Sequence, residues 1–174
     1  MKPRRLLGRD IPRALIFRDV QRLTSFTEDI RAAGMRPGGR VLAMRETTDA
    51  RVCRLLKRPR LLYLKRLRLA DGRPICIENT YLPLDVRPLL EGADLGRQSL
   101  YRLLQRRGES LSWSKELMEG RVPTAEEARL MRILRRVPVV SIARLAFDRR
   151  GRPCEFTENV LRADRYLFYF ELRR

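Results

Sequence analysis

The stretch from Arg66 to Tyr81 constrains this chain more than any other. Two runs of alternating polar and apolar residues meet at Ala70-Asp71-Gly72, which is the pattern of a β-hairpin. A three-residue loop is expected, with Ala70 and Asp71 in a type I turn and Gly72 left-handed in a bulge. In that register Leu69 faces Arg73, Arg66 lies opposite Cys76, and Leu64 lies opposite Glu78. Alternation then puts Arg66, Arg68, Cys76 and Glu78 on one side of the sheet. A two-residue Asp-Gly loop would instead move both arginines to the side without Glu78. The first register sets two guanidinium groups roughly 7 Å apart beside one carboxylate. That set suits a small polar ligand with an anionic end. In an arginine-rich chain, Arg-x-Arg on a strand also describes a solvated face, and more commonly so.

The chain has 174 residues, the length of one domain with a proper core. No run of eighteen apolar residues is present, so no transmembrane span is expected. The basic N-terminus is not followed by the apolar stretch of a secretory signal. Three cysteines, Cys53, Cys76 and Cys154, are odd in number and lack metal spacing. Buried free thiols in a reducing cytoplasm are expected. With no histidine, the commonest general base and zinc ligand are missing, which argues against triad hydrolases and zinc enzymes. No cofactor is called for. The formal charge of +18 favours a polyanionic partner, although the arginines are scattered rather than gathered in one arm.

Residues 1–20 read as a basic arm or linker, with a short strand at Ala14 to Phe17. Ser25 with Glu28 forms a capping box that opens a helix and leaves hydroxyl and N–H groups able to meet an anion. Gly34 ends that helix, and Pro37-Gly38-Gly39 read as a turn before a strand from Arg40 to Thr47. Thr48 can cap a helix over Asp49 to Lys57, with Cys53 on its core side. A short helical piece is expected near Val86 to Glu91, and a longer one over Ser99 to Arg107. Ser110 to Arg121 reads as a strand with a bend. Thr124 and Glu127 make a second capping box over a helix reaching about Arg135. Pro138 to Asp148 and Arg152 to Leu161 form a second hairpin, followed by a strand from Tyr166 to Leu172. The hairpins echo each other, because Gly72-Arg73-Pro74 returns as Gly151-Arg152-Pro153. Antiparallel hairpins interspersed with helices give an α+β fold.

Six segments in order resemble a known family. They are Leu23 to Ile30; Gly34 with Pro37-Gly38; Leu67-Arg68 with Ala70-Asp71-Gly72 and Pro74; Glu78 with Thr80 to Pro83; Ser99-Leu100-Tyr101; and Asp164-Arg165-Tyr166 with Phe168. Together they resemble the UbiC transcription-regulator-associated (UTRA) domain, the effector-sensing half of HutC-type regulators of the GntR family, over residues 21–173. The resemblance implies a chorismate-lyase-like antiparallel sheet flanked by helices, with a ligand cleft. In relatives that sense phosphorylated amino sugars, the positions matching Ser25, Phe26, Thr27, Arg66, Arg68, Ser99 and Tyr101 hold the phosphate. Acids matching Glu78 and Glu155 hold sugar hydroxyls or an amine. Leu161 stands where many relatives carry a tyrosine, removing one hydroxyl from the pocket.

The expected role is therefore to bind a small anionic metabolite, a phosphosugar or carboxylate, and to alter the DNA affinity of a cytoplasmic homodimeric repressor. DNA would be reached only through a winged-helix domain. The twenty residues ahead of the match are too few for one, which fits a truncated chain or a stand-alone sensor. Two other readings share these residues. One is a chorismate-lyase-like enzyme using the arginines and a glutamate acid. The other is a basic module that binds nucleic acid by charge alone.

Overall fold

The computed structural model describes residues 5–6, 9–10, 12, 15–108 and 111–173. Among these residues, ten strands and five α-helices follow one another as β1 (Arg5–Leu6), β2 (Arg9–Asp10), β3 (Ile16–Asp19), α1 (Phe26–Ala32), β4 (Pro37–Thr47), α2 (Ala50–Leu56), β5 (Leu61–Ala70), β6 (Arg73–Pro83), α3 (Arg87–Glu91), α4 (Leu100–Arg106), β7 (Trp113–Arg121), α5 (Ala125–Met131), β8 (Val139–Phe147), β9 (Pro153–Arg162) and β10 (Tyr166–Tyr169). Six of the strands form one antiparallel sheet in the order β4-β5-β6-β9-β8-β7. The α+β, chorismate-lyase-like expectation holds. One pair departs from the antiparallel pattern: β3 runs parallel to β10, because the two are remote in sequence and share no hairpin.

Each face of the sheet has its own apolar cover. On one face Leu62, Leu64 and Leu82 pack with Val86, Leu90, Leu95, Leu100, Leu103 and Leu104. Farther along the same face Ile16, Ile30, Ile75, Ile142 and Tyr166 pack together. On the other face Leu67, Ile77 and Val160 meet Met131 of α5, while Leu61 and Phe156 meet Val52 and Leu56 of α2. Side-chain alternation is what allows Arg66 and Arg68 to face one layer while Leu67 faces the other.

The first hairpin turns differently from the sequence expectation. Asp71 and Gly72 both have positive φ, +48° and +76°, and alone span the turn between paired Ala70 and Arg73. This is a two-residue loop, and aspartate tolerates the left-handed region well enough to allow it. Such a loop alone would have put the arginines opposite the wrong side of β6. A bulge at Ile75 restores the phase: Leu69 pairs with Pro74 but Arg68 pairs with Cys76, so Arg66 stands directly opposite Glu78. The shared face was therefore anticipated, but the register was two residues off. The second hairpin repeats the device, with Phe147 opposite Pro153 and Ala146 opposite Glu155, so that Cys154 is the extra residue.

Other corrections are local. Pro37, Gly38 and Gly39 begin β4 rather than forming a turn, and they pair with Ala70, Leu69 and Arg68. Gly39 is there for space, not for bending. A Cβ on Gly39 would lie 3.0 Å from the Leu67 carbonyl oxygen and 3.1 Å from the Arg68 guanidinium. The cap of α2 is Asp49 rather than Thr48, its carboxylate accepting from the Arg51 and Val52 amides. Helix α5 stops at Met131, short of Arg135, because Arg132 adopts left-handed backbone. Both capping boxes are formed. Only Cys76 is buried among the thiols, and Cys53 and Cys154 are half-buried. The expected first strand begins at Ile16, and its Ala14 lies outside the described residues, as does Ser110. Among the described residues no helix is long and apolar enough to cross a membrane.

Gly96 presses its backbone against β4, where an added Cβ would sit 2.7 Å from the Gly39 carbonyl oxygen. Gly96→Ala is expected to cost about 1–3 kcal/mol, as overpacking does, read from the urea midpoint. Gly92→Ala is the control. A Cβ there meets nothing within 4 Å, so its midpoint should hold or rise by up to about 1 kcal/mol.

Candidate effector-binding site

Arg66 and Arg68 project from β5 into the layer beneath α1 and α4, and each is only 2% exposed. Arginine is seldom this buried without a partner. Here both share one carboxylate. Arg66 Nη2 lies 2.7 Å from Glu78 Oε2, and Arg68 Nε lies 3.7 Å from the same oxygen. Both also lean onto a single backbone oxygen, that of Leu95, at 3.4 and 3.3 Å. Arg68 donates further to Thr27 Oγ1 at 3.3 Å and lies over the Phe26 ring, 4.6 Å from its centroid.

The electrostatics follow from two cations sharing one anion. Burial favours the uncharged form of Glu78, but Arg66, then Arg68 and Arg144, outweigh it and hold the carboxyl below its ordinary range. For Arg68, burial first and the neighbouring Arg66 second pull the pKa below that of a free arginine. A guanidinium lowered in this way still stays charged at neutral pH. The pair therefore carries one positive charge more than its internal counter-charge.

These groups line a narrow crevice with Ser25, Phe26, Thr27, Ser99, Leu100, Tyr101 and Arg144. Ser25 begins α1 and is committed to its capping box: its hydroxyl accepts from the Glu28 amide and donates to the Glu28 carboxylate. Ser99 begins α4 but makes no capping bond, and its buried hydroxyl has no hydrogen-bond partner among the described residues. The Nε groups of Arg66, Arg68 and Arg144 are likewise buried without one. Tyr101 is half-buried with its hydroxyl enclosed, and the Arg144 guanidinium lies 5.2 Å from its ring centroid. Burial and then the charge of Glu155 push the Tyr101 phenol well above its ordinary pKa, so the group stays a donor.

Eight of the nine residues singled out in the sequence thus converge: Ser25, Phe26, Thr27, Arg66, Arg68, Glu78, Ser99 and Tyr101. Glu155 does not line the crevice. It is 1% exposed and stands behind the site, 3.6 Å from Arg144 and bonded to the Thr157 hydroxyl. Sequence reasoning missed Arg144 and the narrow neighbouring compartment formed by Arg18, Thr24, Asp29, Cys76, Asn159, Leu161 and Tyr166 with Phe26, Glu78 and Arg144. The duplicated hairpin held the signal for Arg144. Counted back from the two bulges, Arg144 occupies in the second hairpin the place of Arg66 in the first. Leu161 is buried against this compartment, and it contributes no hydroxyl there.

With this geometry in hand, comparison with known proteins is specific. The family model of the UTRA domain matches residues 32–167. The HTH-type transcriptional repressor NagR of Bacillus subtilis (strain 168) is 31% identical over 157 residues, covering 87% of this chain and 64% of that protein. The HTH-type transcriptional repressor PhnF of Mycolicibacterium smegmatis is 27% identical over 148 residues, covering 83% of this chain and 61% of the relative. The crystal structure of the effector domain of PhnF from Mycobacterium smegmatis superposes with a TM-score of 0.83 at 25% identity, covering 91% of this chain and all of that one. The chain therefore spans less than two thirds of the length of these regulators, over the part that corresponds to an effector domain. These relatives are transcriptional regulators rather than enzymes, which sets the lyase reading aside. On this match and this fold, the chain belongs to the UTRA domain family, the effector domains of GntR-family, HutC-type transcriptional regulators.

Proposed function

We propose that this chain senses a small anionic metabolite, a phosphosugar or a carboxylate, for a dimeric repressor whose DNA-binding part is a winged-helix domain. The observation that carries the reading is the Arg66–Arg68 pair, buried with one carboxylate between two guanidinium groups. Burying charge without full compensation is costly. A ligand phosphate or carboxylate supplies the missing negative charge and can accept from the Nε groups that lack partners. The Ser99 hydroxyl and the Tyr101 phenol add donors to the same crevice.

The neighbouring compartment suits the rest of such a ligand. Glu78 and Asn159 stand directly opposite one another on β6 and β9, and Thr24 and Asp29 close the other side. These are acceptors and amide groups for hydroxyls or an amine. Effector binding would draw the 24–30 segment onto the sheet, because Phe26 and Thr27 already touch Arg68. That segment leads back toward the N-terminus, where a DNA-reading domain would be joined. Operator affinity would then change through a shift between two arrangements of that arm.

Two experiments test this. Calorimetric titration with a panel of sugar phosphates and carboxylic acids should find a ligand. Arg68→Ala should then weaken it at least tenfold, as loss of a charge-assisted contact of about 1.5–3 kcal/mol requires. In a full-length regulator carrying this domain, the same ligand should change operator affinity; unchanged affinity refutes the sensor role. Glu78→Gln provides the second test. It removes the internal counter-charge and should cost about 3–5 kcal/mol without ligand, yet make the thermal shift produced by inorganic phosphate larger than in the wild type. The pH dependence has a definite sign. Because the folded pKa of Glu78 is depressed, its stabilisation is full above the ordinary value of 4.5 and fades as pH falls below it. The wild type should therefore lose stability more steeply than Glu78→Gln under acid, measured by urea melts at stepped pH.

A further inference from the structure

Arg144 lies between the two compartments and is 4% exposed. Among the described residues no carboxylate comes within 3.5 Å of it. Glu155 is 3.6 Å away and Glu116 is 3.7 Å away. Glu116, by contrast, is gripped by another cation. Arg18 of β3 donates from Nη2 to both of its oxygens at 2.9 Å, and this pair is largely shielded from water. Arg18 and Arg144 thus compete for one carboxylate, and Arg18 holds the better geometry. Glu116 and Arg144 are paired residues of β7 and β8, so their side chains share a face at cross-strand distance. Arg18 comes from outside the matched domain. Among the described residues strand β3 pairs only with β10, and it precedes residue 32, where the family match begins.

We infer that Arg144 is a third guanidinium of the anion site, and that Arg18, by occupying Glu116, is the positioning residue that frees it for the ligand. The inference rests on the anion-sensing reading above and names the element that couples the site to the N-terminal side. With β3 docked, Glu116 is neutralised by Arg18 and Arg144 keeps its charge for the crevice. With β3 undocked, Glu116 turns to Arg144 and withdraws that charge. By linkage, whatever β3 docking does for the anion, the anion does equally for β3 docking. Occupancy of the crevice is thereby transmitted to residues 16–19 without any change in the sheet itself.

The test uses inorganic phosphate and this chain in four forms: wild type, Arg18→Met, Glu116→Gln and the double variant. Arg18→Met should weaken phosphate binding by about fivefold or more, the usual scale of a coupling between sites. The double variant should recover most of that loss, because Glu116 can no longer capture Arg144; a merely structural role for Arg18 predicts no recovery. Phosphate should also slow amide exchange over residues 16–19 in the wild type and leave it unchanged in Arg18→Met. If Arg18→Met fails to fold, Glu116→Gln alone decides, since its phosphate affinity should equal or exceed that of the wild type. A lower affinity there, or unaltered binding by folded Arg18→Met, overturns the coupling while the anion site stands. A wild type that binds neither phosphate nor any member of the anion panel overturns both.

Discussion

Two arginines on one strand, buried to within a few per cent of full enclosure and sharing a single glutamate, govern the rest of this structure. A guanidinium taken out of water must recover its solvation from fixed groups. Arg66 and Arg68 do so from Glu78, the Leu95 carbonyl, the Thr27 hydroxyl and the Phe26 ring. Those partners come from three separate pieces of chain: the adjacent strand, the loop after α3, and the first turn of α1. Covering the arginines is therefore also what seats the loop and the helix over the sheet. The tight contact between Gly39 and Gly96 belongs to the same arrangement, because it brings the Leu95 carbonyl within reach. Cores of leucine and isoleucine on either side provide the bulk of the stabilisation. They would tolerate many placements of the helices. The charged pair is what selects one.

The duplicated hairpin gives this arrangement its third cation. Both hairpins turn back through a glycine with positive φ and take an extra residue just after a proline. Their inner strands, β6 and β9, then pair with each other, with Asn79 opposite Glu158 at equivalent positions of the two copies. An approximate two-fold relation in the middle of the sheet follows. It places Arg66 and Arg144 on the same face, facing the site from opposite sides. The copies have diverged where chemistry demands it. The second arginine of the first hairpin corresponds to Ala146 in the other, and Glu78 corresponds to Thr157. One half supplies the Arg66–Arg68 pair on a single glutamate, while the other supplies Arg144, with Glu155 at 3.6 Å and Glu116 at 3.7 Å.

Much of this was legible because the signals were local. Capping boxes at Ser25 and Thr124 depend on side chains three residues apart, and both form. Alternation from Arg66 to Glu78 reported the correct shared face even though the loop was misjudged. The loop error and the unforeseen bulge cancelled, and neither leaves a mark in residue type. Ile75 is an ordinary strand residue, and its extra position is set by the pairing of the whole hairpin. Pro37 to Gly39 misled for a related reason. Glycines that admit a neighbouring backbone carry the same letters as glycines that turn. The parallel pairing of β3 with β10 joins the two ends of the chain, and no local pattern encodes it. Arg18 and Glu116, ninety-eight positions apart, were invisible for the same reason. Family resemblance carried over eight crevice residues, but it named Glu155 as a ligand contact when the fold sets that acid behind Arg144.

The protonation states in the crevice bear on its selectivity. Glu78 is held ionised by the very cations it serves, and Arg144 is held firmly protonated because Tyr101, Glu155 and Glu116 outweigh its burial. Neither group changes charge across the physiological range, so the charge carried by the guanidinium groups and Glu78 stays constant there. A neutral sugar entering it would displace whatever solvates the guanidinium groups and return only weak dipoles. A monoanion compensates the excess charge of the Arg66–Arg68 pair. By the inference above, a dianion would additionally engage Arg144, provided Glu116 is occupied elsewhere. On the proposed anion site, discrimination between neutral, singly charged and doubly charged ligands would follow from the ratio of guanidinium to carboxylate groups within reach, and that ratio would depend on which carboxylate Arg18 has taken.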